Sequence, residues 1–303
     1  MLDAESWSEP EINWSAPADL AAITRSNGPR ELLAVWPPAP FESTPTHCYR
    51  LDDEYSIVQA GVGTVRFRTD APRLLAFPSN DGNPDWFRDV VRRCWLPAIY
   101  PFWGRQVLHA SAVALAGSDN VVAFTGPTHT GKSTTAYALG RRPGWRLVAD
   151  DSLAFAWSPA ERSIRIHPLQ NEARLRPASA EYFGHEGGGR ERVPWPGGRL
   201  ALRVLLVLDG HDEPGPVAVF TRLGVAESLP LLVQQAFALS FAVPEYNRQL
   251  LMNYAQLAAV PIFRLRYRRS FDEAALLYDA IEDHLATQMP AATSTQTATR
   301  GHV

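Results

Sequence analysis

The sequence predicts an α/β protein built on a mixed sheet and preceded by a small β-rich region; three observations carry this. Val121-Val-Ala-Phe124 is an apolar run that reads as a buried strand, and Ser133-Thr-Thr-Ala-Tyr-Ala-Leu139 reads as a helix, with one Gly-containing stretch between them. Just upstream, Val107-Leu-His-Ala-Ser-Ala-Val113 reads as a strand that turns back through Gly117-Ser-Asp-Asn120, so the strand entering that stretch gains an antiparallel partner. Further upstream, Thr64-Val-Arg-Phe-Arg68 alternates strictly, and with Tyr55–Gln59 and Leu74–Phe77 it predicts an antiparallel meander punctuated by Gly61, Gly63, Pro72 and Pro78.

The remaining elements follow in order. Residues 1 to about 45 are rich in Pro and Trp without a sustained period and read as loop, with one short helix from Pro17 to Thr24. Asp85 to Tyr100 has helical spacing, with Trp86, Val90, Cys94 and Trp95 on one inward side and Pro101 as the stop. After the helix that ends at Arg141, Arg142 and Pro143-Gly144, Trp145 to Val148 reads as a strand ending in Asp150-Asp151. Leu153–Trp157 and Ser163–His167 form a hairpin pattern, and Glu172 to Arg176 reads as extended. Residues 184 to 198 carry so much Gly and Pro that a mobile loop is expected, either a lid or slack chain. Strands are expected over Leu202–Leu208, Val217–Arg222 and Pro261–Tyr267, and helices over Ser228–Phe241 and Phe271–Leu285, before a disordered tail from Met289. The expected division is a lead-in over 1–104, an ATP-binding domain over 105–287 and the tail over 288–303.

Bulk properties bound the function. With 303 residues and 46% hydrophobic content the chain has material for a full core. A net charge of −3 supplies no basic field, so neither nucleic acid nor an anionic membrane is an expected partner. No apolar run has bilayer length and the start is acidic rather than basic, so the cytoplasm is the expected compartment. Two cysteines, Cys48 and Cys94, are too few for a disulfide framework, and Cys94 reads as core.

The chemistry centres on Gly126, Pro127, Thr128, His129, Thr130, Gly131, Lys132, Ser133 and Thr134. Gly126, Gly131, Lys132 and Ser133 stand in the register of a phosphate-binding loop between strand and helix. Backbone N–H groups, the helix dipole and the Lys132 ammonium suit a nucleoside triphosphate, and the Ser133 hydroxyl suits Mg²⁺. Asp150-Asp151 follows one short helix later. A phosphoryl transfer needs a carboxylate near the metal and gains from a second that accepts a proton, although a solvated turn is the alternative reading. Adjacent strand residues point to opposite faces, so only an irregular strand end brings both aspartates to one site. His109 alone reads as a core histidine, and Glu172, Arg174 and Arg176 alone as a charged strand edge, though these three also suit a metal ligand and cations for phosphoryl charge.

Leu108-His-Ala-Ser111, the loop from Gly126 to Ser133, and Arg146-Leu-Val-Ala-Asp-Asp151 together resemble the catalytic domain of the HPr kinase/phosphorylase family, over about residues 105 to 285. That family shares a fold core with ATP-dependent phosphoenolpyruvate carboxykinase. The resemblance implies ATP and Mg²⁺, with Lys132 on the phosphates, Ser133 and Asp151 at the metal, Asp150 as general base and His109 supporting it. It places Glu172 close to a second metal-binding carboxylate and Arg222, in Thr221-Arg-Leu-Gly224, at a later active-site arginine. The family's glycine-containing signature is reduced here to Asn171-Glu-Ala-Arg-Leu-Arg176, so neither dephosphorylation nor HPr as acceptor is implied. The first 100 residues look more like the β-rich lead-in of HPr-kinase-like proteins that modify peptides, including kinases of lasso peptide precursors. The expectation is therefore a kinase acting on a serine of a peptide or small protein; relatives often assemble, and a homo-oligomer is left open. The alternatives are a nucleotide-responsive binding protein without turnover, a kinase of a small-molecule hydroxyl and, more weakly, carboxykinase-like decarboxylation.

Overall fold

The structure is a computed structural model that describes residues 10–16, 30–37, 44–170, 172–185, 189–193, 199–237 and 244–289. The helix expected over Ser228–Phe241 starts at Val225 and ends at Val233, because the chain turns at Gln234-Gln235 and Ala236 bridges to Leu108; residues 238–241 of that expectation, the helix expected over Pro17 to Thr24, and the tail past Met289 lie outside the described residues.

Six described strands form the first sheet: β1 (Glu11–Trp14), β2 (Glu31–Trp36), β3 (Thr46–Leu51), β4 (Glu54–Gln59), β5 (Gly63–Arg68) and β6 (Arg73–Pro78), in the order β1-β6-β5-β4-β3-β2. β4 to β6 are the expected meander. β1, β2 and β3 come from or adjoin sequence that reads as loop. β1 is only four residues long and β2 leaves Leu32 and Val35 exposed, so main-chain pairing to a neighbour, rather than an apolar period, makes them strands.

A helical arm packs on this sheet. It begins as α1 (Pro84–Val90), capped by the Asn83 side chain accepting from the Asp85 and Trp86 amides at 2.9 and 3.1 Å. A π-helical turn follows over Val91–Trp95, then α2 (Leu96–Ile99) and a 3₁₀ turn over Tyr100–Trp103 that contains Pro101. Pro97 has no N–H for the Arg93 carbonyl, and ahead of it the ladder slips, with the Leu96 amide donating to Val91 O. The observed face corrects the expected one. Phe87, Val90, Val91 and Trp95 are buried, whereas Trp86 is 40% exposed and Cys94 is exposed instead of core.

Nine described strands form the second sheet: β7 (Gln106–Leu108), β8 (Ala110–Leu115), β9 (Asn120–Thr125), β10 (Trp145–Ala149), β11 (Leu153–Ser158), β12 (Ser163–Pro168), β15 (Ala201–His211), β16 (Ala218–Arg222) and β17 (Ile262–Arg268). β8 is antiparallel to β9, as the hairpin predicts, and also to β10, while β9 runs parallel to β15, and β15 parallel to β17. The sheet is therefore mixed. Apolar side chains cover both faces, one packed with α3 (Lys132–Gly140) and α7 (Ala274–Gln288), the other with α5 (Val225–Val233) and α6 (Pro244–Gln256).

A small antiparallel ribbon of β13 (Glu172–Leu175) and β14 (Gly189–Arg192), joined through α4 (Pro177–Tyr182), lies beside α3. Part of the stretch expected to be a loop over 184 to 198 is thus paired strand. The ladder to β13 orders it despite its poverty in apolar residues.

Candidate active site

The residues between β9 and α3 form a tight loop. Gly131 opens α3 at φ 80°, and a Cβ there would sit 2.5 Å from the Tyr267 hydroxyl oxygen; Gly126, at φ 140°, would meet the Leu208 carbonyl at 2.8 Å. The Tyr267 hydroxyl donates to Thr130 O at 2.6 Å and pins the loop from β17. Gly131→Ala is therefore expected to cost about 1–2 kcal/mol from the left-handed backbone alone, lowering the melting temperature by about 2–8 °C. An unchanged thermal melt would contradict this packing.

Lys132 is folded back on this loop, donating to Gly126 O at 2.8 Å and Pro127 O at 3.1 Å, with only 6% exposure. Burial drives its pKa down to about 8, against the pull of Asp151 and Asp150 and with help from Arg176. Below that pH the ammonium is charged and attracts an anion; above it the charge is lost. Affinity for a triphosphate is accordingly expected to weaken above about pH 8, approaching tenfold per unit. Titrating a fluorescent ATP analogue across this range checks it, and an affinity flat with pH, or a limb surviving in Lys132→Met, would refute it.

Asp150 and Asp151 reach one cleft because β10 ends irregularly. Asp151 takes a left-handed φ of 71° and the Ser152 amide bonds Asp150 O at 2.9 Å, which breaks the alternation. Asp150 is 3% exposed and both its oxygens hold donors: Ser111 Oγ at 2.8 Å and the Arg174 backbone N–H at 2.9 Å. His109 sits in the break between β7 and β8, where its amide bonds Gln235 O at 2.8 Å and its carbonyl accepts from Thr125 Oγ1 at 2.9 Å. Its ring stacks on Phe237, and Nε2 lies 3.7 Å from Asp151 Oδ1. Burial, then Lys132, push the imidazole below its usual pKa, outweighing Asp151 and Asp150. At neutral pH it is an uncharged ring beside Asp151.

These groups share a cleft of about 930 Å³, lined by His109, Lys132, Ser133, Asp150, Asp151 and Arg176 among others. Thr128, His129 and Thr134 also line it; Arg176 donates to His129 Nδ1 at 2.8 Å, and Thr134 Oγ1 lies 2.8 Å from Ser179 Oγ.

Gly126, Pro127 and Thr130 build the loop without lining the cleft, and two residues predicted for catalysis or metal binding fall elsewhere. Arg222 lies over the Phe263 ring at 5.0 Å, and the register Phe124–Leu206–Phe263–Arg222 sets it three strands from β9, about 14 Å at ordinary strand spacing. Glu172 does not line the cleft either. Its carboxylate faces Arg174 of its own strand at 3.2 Å and Arg93 at 2.7 Å, the latter a cation that the arm supplies and the strand's sequence does not reveal. Conversely, Ser111 went without a role, although it stands two residues from His109. Tyr267 and the Arg174 amide leave no sequence signal, because one acts across 137 residues and the other through the main chain.

No family model matches the chain, and no curated protein does. Among solved structures it is similar to the Hpr(Ser) kinase/phosphatase from Coxiella burnetii, at 13% sequence identity and a TM-score of 0.33, over 60% of this chain and 92% of that one. Among the described residues no helix is long and apolar enough to cross a membrane.

Proposed function

We propose that this protein is an ATP- and Mg²⁺-dependent kinase that transfers the γ-phosphoryl group to a hydroxyl, with a serine of a peptide or small protein as the acceptor class. The observation that carries the reading is Asp150, a buried carboxylate held by Ser111 and the Arg174 amide in the same cleft as Lys132. A carboxylate so placed suits removal of an acceptor's proton, and a helix-opening loop with a buried lysine suits a polyphosphate. The choice of serine, and of peptide over HPr, rests on the sequence resemblance; a precursor peptide of the lasso class is one such acceptor.

The chain's own groups divide the work. Lys132 exchanges the Gly126 and Pro127 carbonyls for phosphate oxygens, and the loop N–H groups orient the chain of phosphates. Asp150 takes the hydroxyl proton. Of the arginines lining the cleft, Arg93 and Arg174 face Asp89 and Glu172, Arg268 faces Glu273, and Arg269 faces Asp212 and the Gly210 carbonyl, whereas Arg176 faces His129. Arg176 is thus better placed than Arg222 to balance charge on the transferring group. Among the described residues no three acidic, His or Cys groups converge as a metal cage. Magnesium bound with phosphates takes only one or two protein oxygens, and the hard oxygens of Ser133 and Asp151, both in the cleft, fit that need. When bound, Mg²⁺ would supply charge neutralisation on the phosphates.

Incubation with Mg²⁺, ATP and a pool of serine-containing peptides, followed by mass spectrometry, tests the proposal. Phosphopeptide formation supports it. Measurable ATP affinity with no adduct on any hydroxyl would replace it by a nucleotide-responsive binding protein.

A further inference from the structure

The helical arm reaches into the cleft: Trp86, Arg93 and Cys94 line it together with Asp150 and Arg174. The slip that makes the π turn has two consequences. In a regular helix the Leu96 amide would serve the Arg92 carbonyl; here it serves Val91, and the released Arg92 carbonyl accepts from Gln170 Nε2 at 3.0 Å. Arg93, its side chain 12% exposed, bridges Asp89 at 3.0 Å and Glu172 at 2.7 Å. Asp89 in turn accepts from Arg174 Nη2 with both oxygens, at 2.9 and 3.1 Å. Burial pushes the Asp89 carboxyl up, but the Arg174 and Arg93 guanidinia more than offset this and keep it ionised.

Three successive alternate residues, Gln170, Glu172 and Arg174, are thereby stitched to the arm, and the third of them turns its backbone N–H to Asp150 Oδ2 at 2.9 Å. Among the described residues β13 has one ladder partner, the short β14; its other side chains, Ala173 and Leu175, pack with Tyr137, Ala180 and Val193, so the arm holds the charged side of the strand. The spacing of two matters. Within β13 it puts the Glu172 and Arg174 side chains on one side, facing the arm, so they act together on one stretch of backbone.

From this juxtaposition we infer that Asp89 and Arg93 are positioning residues for Asp150: the lead-in is an integral wall of the active site that sets the carboxylate through β13. The inference rests on the kinase reading for its effect on turnover, but the mechanical tie does not. Asp89→Asn in the full chain is the test, since it removes the charge that holds Arg174 while keeping size and one acceptor. Hydrogen exchange of the amides at 172–175 is expected to speed up by about tenfold or more. With the serine-peptide pool and MgATP, kcat is expected to fall by about 10–100-fold with the KM for ATP unchanged, and Asp89→Glu to restore most of it. A purely structural role would move stability without this split.

Unchanged exchange at 172–175 in Asp89→Asn overturns the tie, and faster exchange with wild-type kcat overturns the positioning role. If the wild-type protein transfers phosphate to no peptide, the kinase reading fails by that result, and the exchange measurement alone then decides whether the arm holds β13.

Discussion

Asp150→Asn is expected to lower phosphoryl transfer by about 10²–10⁴-fold while leaving ATP affinity within about twofold of the wild type. The substitution is nearly isosteric, and the local hydrogen bonds survive it. An asparagine oxygen still accepts from the Arg174 amide, and its NH₂ donates to Ser111 Oγ, whose hydroxyl turns to point elsewhere. Fold and cradle persist; only the proton acceptor is gone. Steady-state kinetics, with affinity from a fluorescent nucleotide, separates the two quantities. Wild-type turnover in Asp150→Asn would remove Asp150 from the role of base, and an equal loss of ATP affinity would make it part of the cradle.

The second large effect is expected at Lys132, in the opposite sense. Lys132→Met should weaken ATP binding by about 30- to 1,000-fold, roughly 2–4 kcal/mol, because a buried cation facing phosphate has no substitute among neutral side chains. Folding should hardly suffer. The ammonium is already partly desolvated, with its pKa down to about 8, so losing it relieves a buried charge even as the Gly126 and Pro127 carbonyls lose a donor. Calorimetric titration of ATP into Lys132→Met checks the binding, and a thermal melt the fold. A variant that binds ATP as the wild type does would exclude Lys132 from the phosphate site. The pair of variants also forms a contrast, one losing turnover with binding intact and the other losing binding first.

Much of this geometry is legible in the chain because it is local. The loop with its flanking strand and helix and the aspartate pair follow from residues within a few positions of one another and form where expected; the preceding hairpin forms from Ala110 onward, whereas Val107-Leu108 breaks off at His109 and pairs with β11. What was not legible acts over distance or through the backbone. β1 and β2 are edge strands whose partners define them. Arg222 matched a motif, but the register across three strands, invisible in four residues, sets it apart from the loop. Glu172 matched one too, and a cation 79 residues earlier claims it. A signal did exist for the π turn: Pro97 inside a helical pattern marks a missing donor, and the displacement of Cys94 from the buried face follows from it.

By itself the sequence determined that this chain carries a strand–loop–helix suited to a polyphosphate, with an aspartate pair one element later. Spacing along the chain suffices for that, since both depend on short-range backbone geometry. Only the tertiary structure decided which charges face the cleft. Arg93, Arg174 and Glu172 neutralise one another with Asp89, leaving Lys132, Arg176, Asp150 and Asp151 in place around the cleft. The reason is physical: a half-buried charge is placed by its partners, and partners 79 and 85 residues apart in the chain meet only once the sheets have packed.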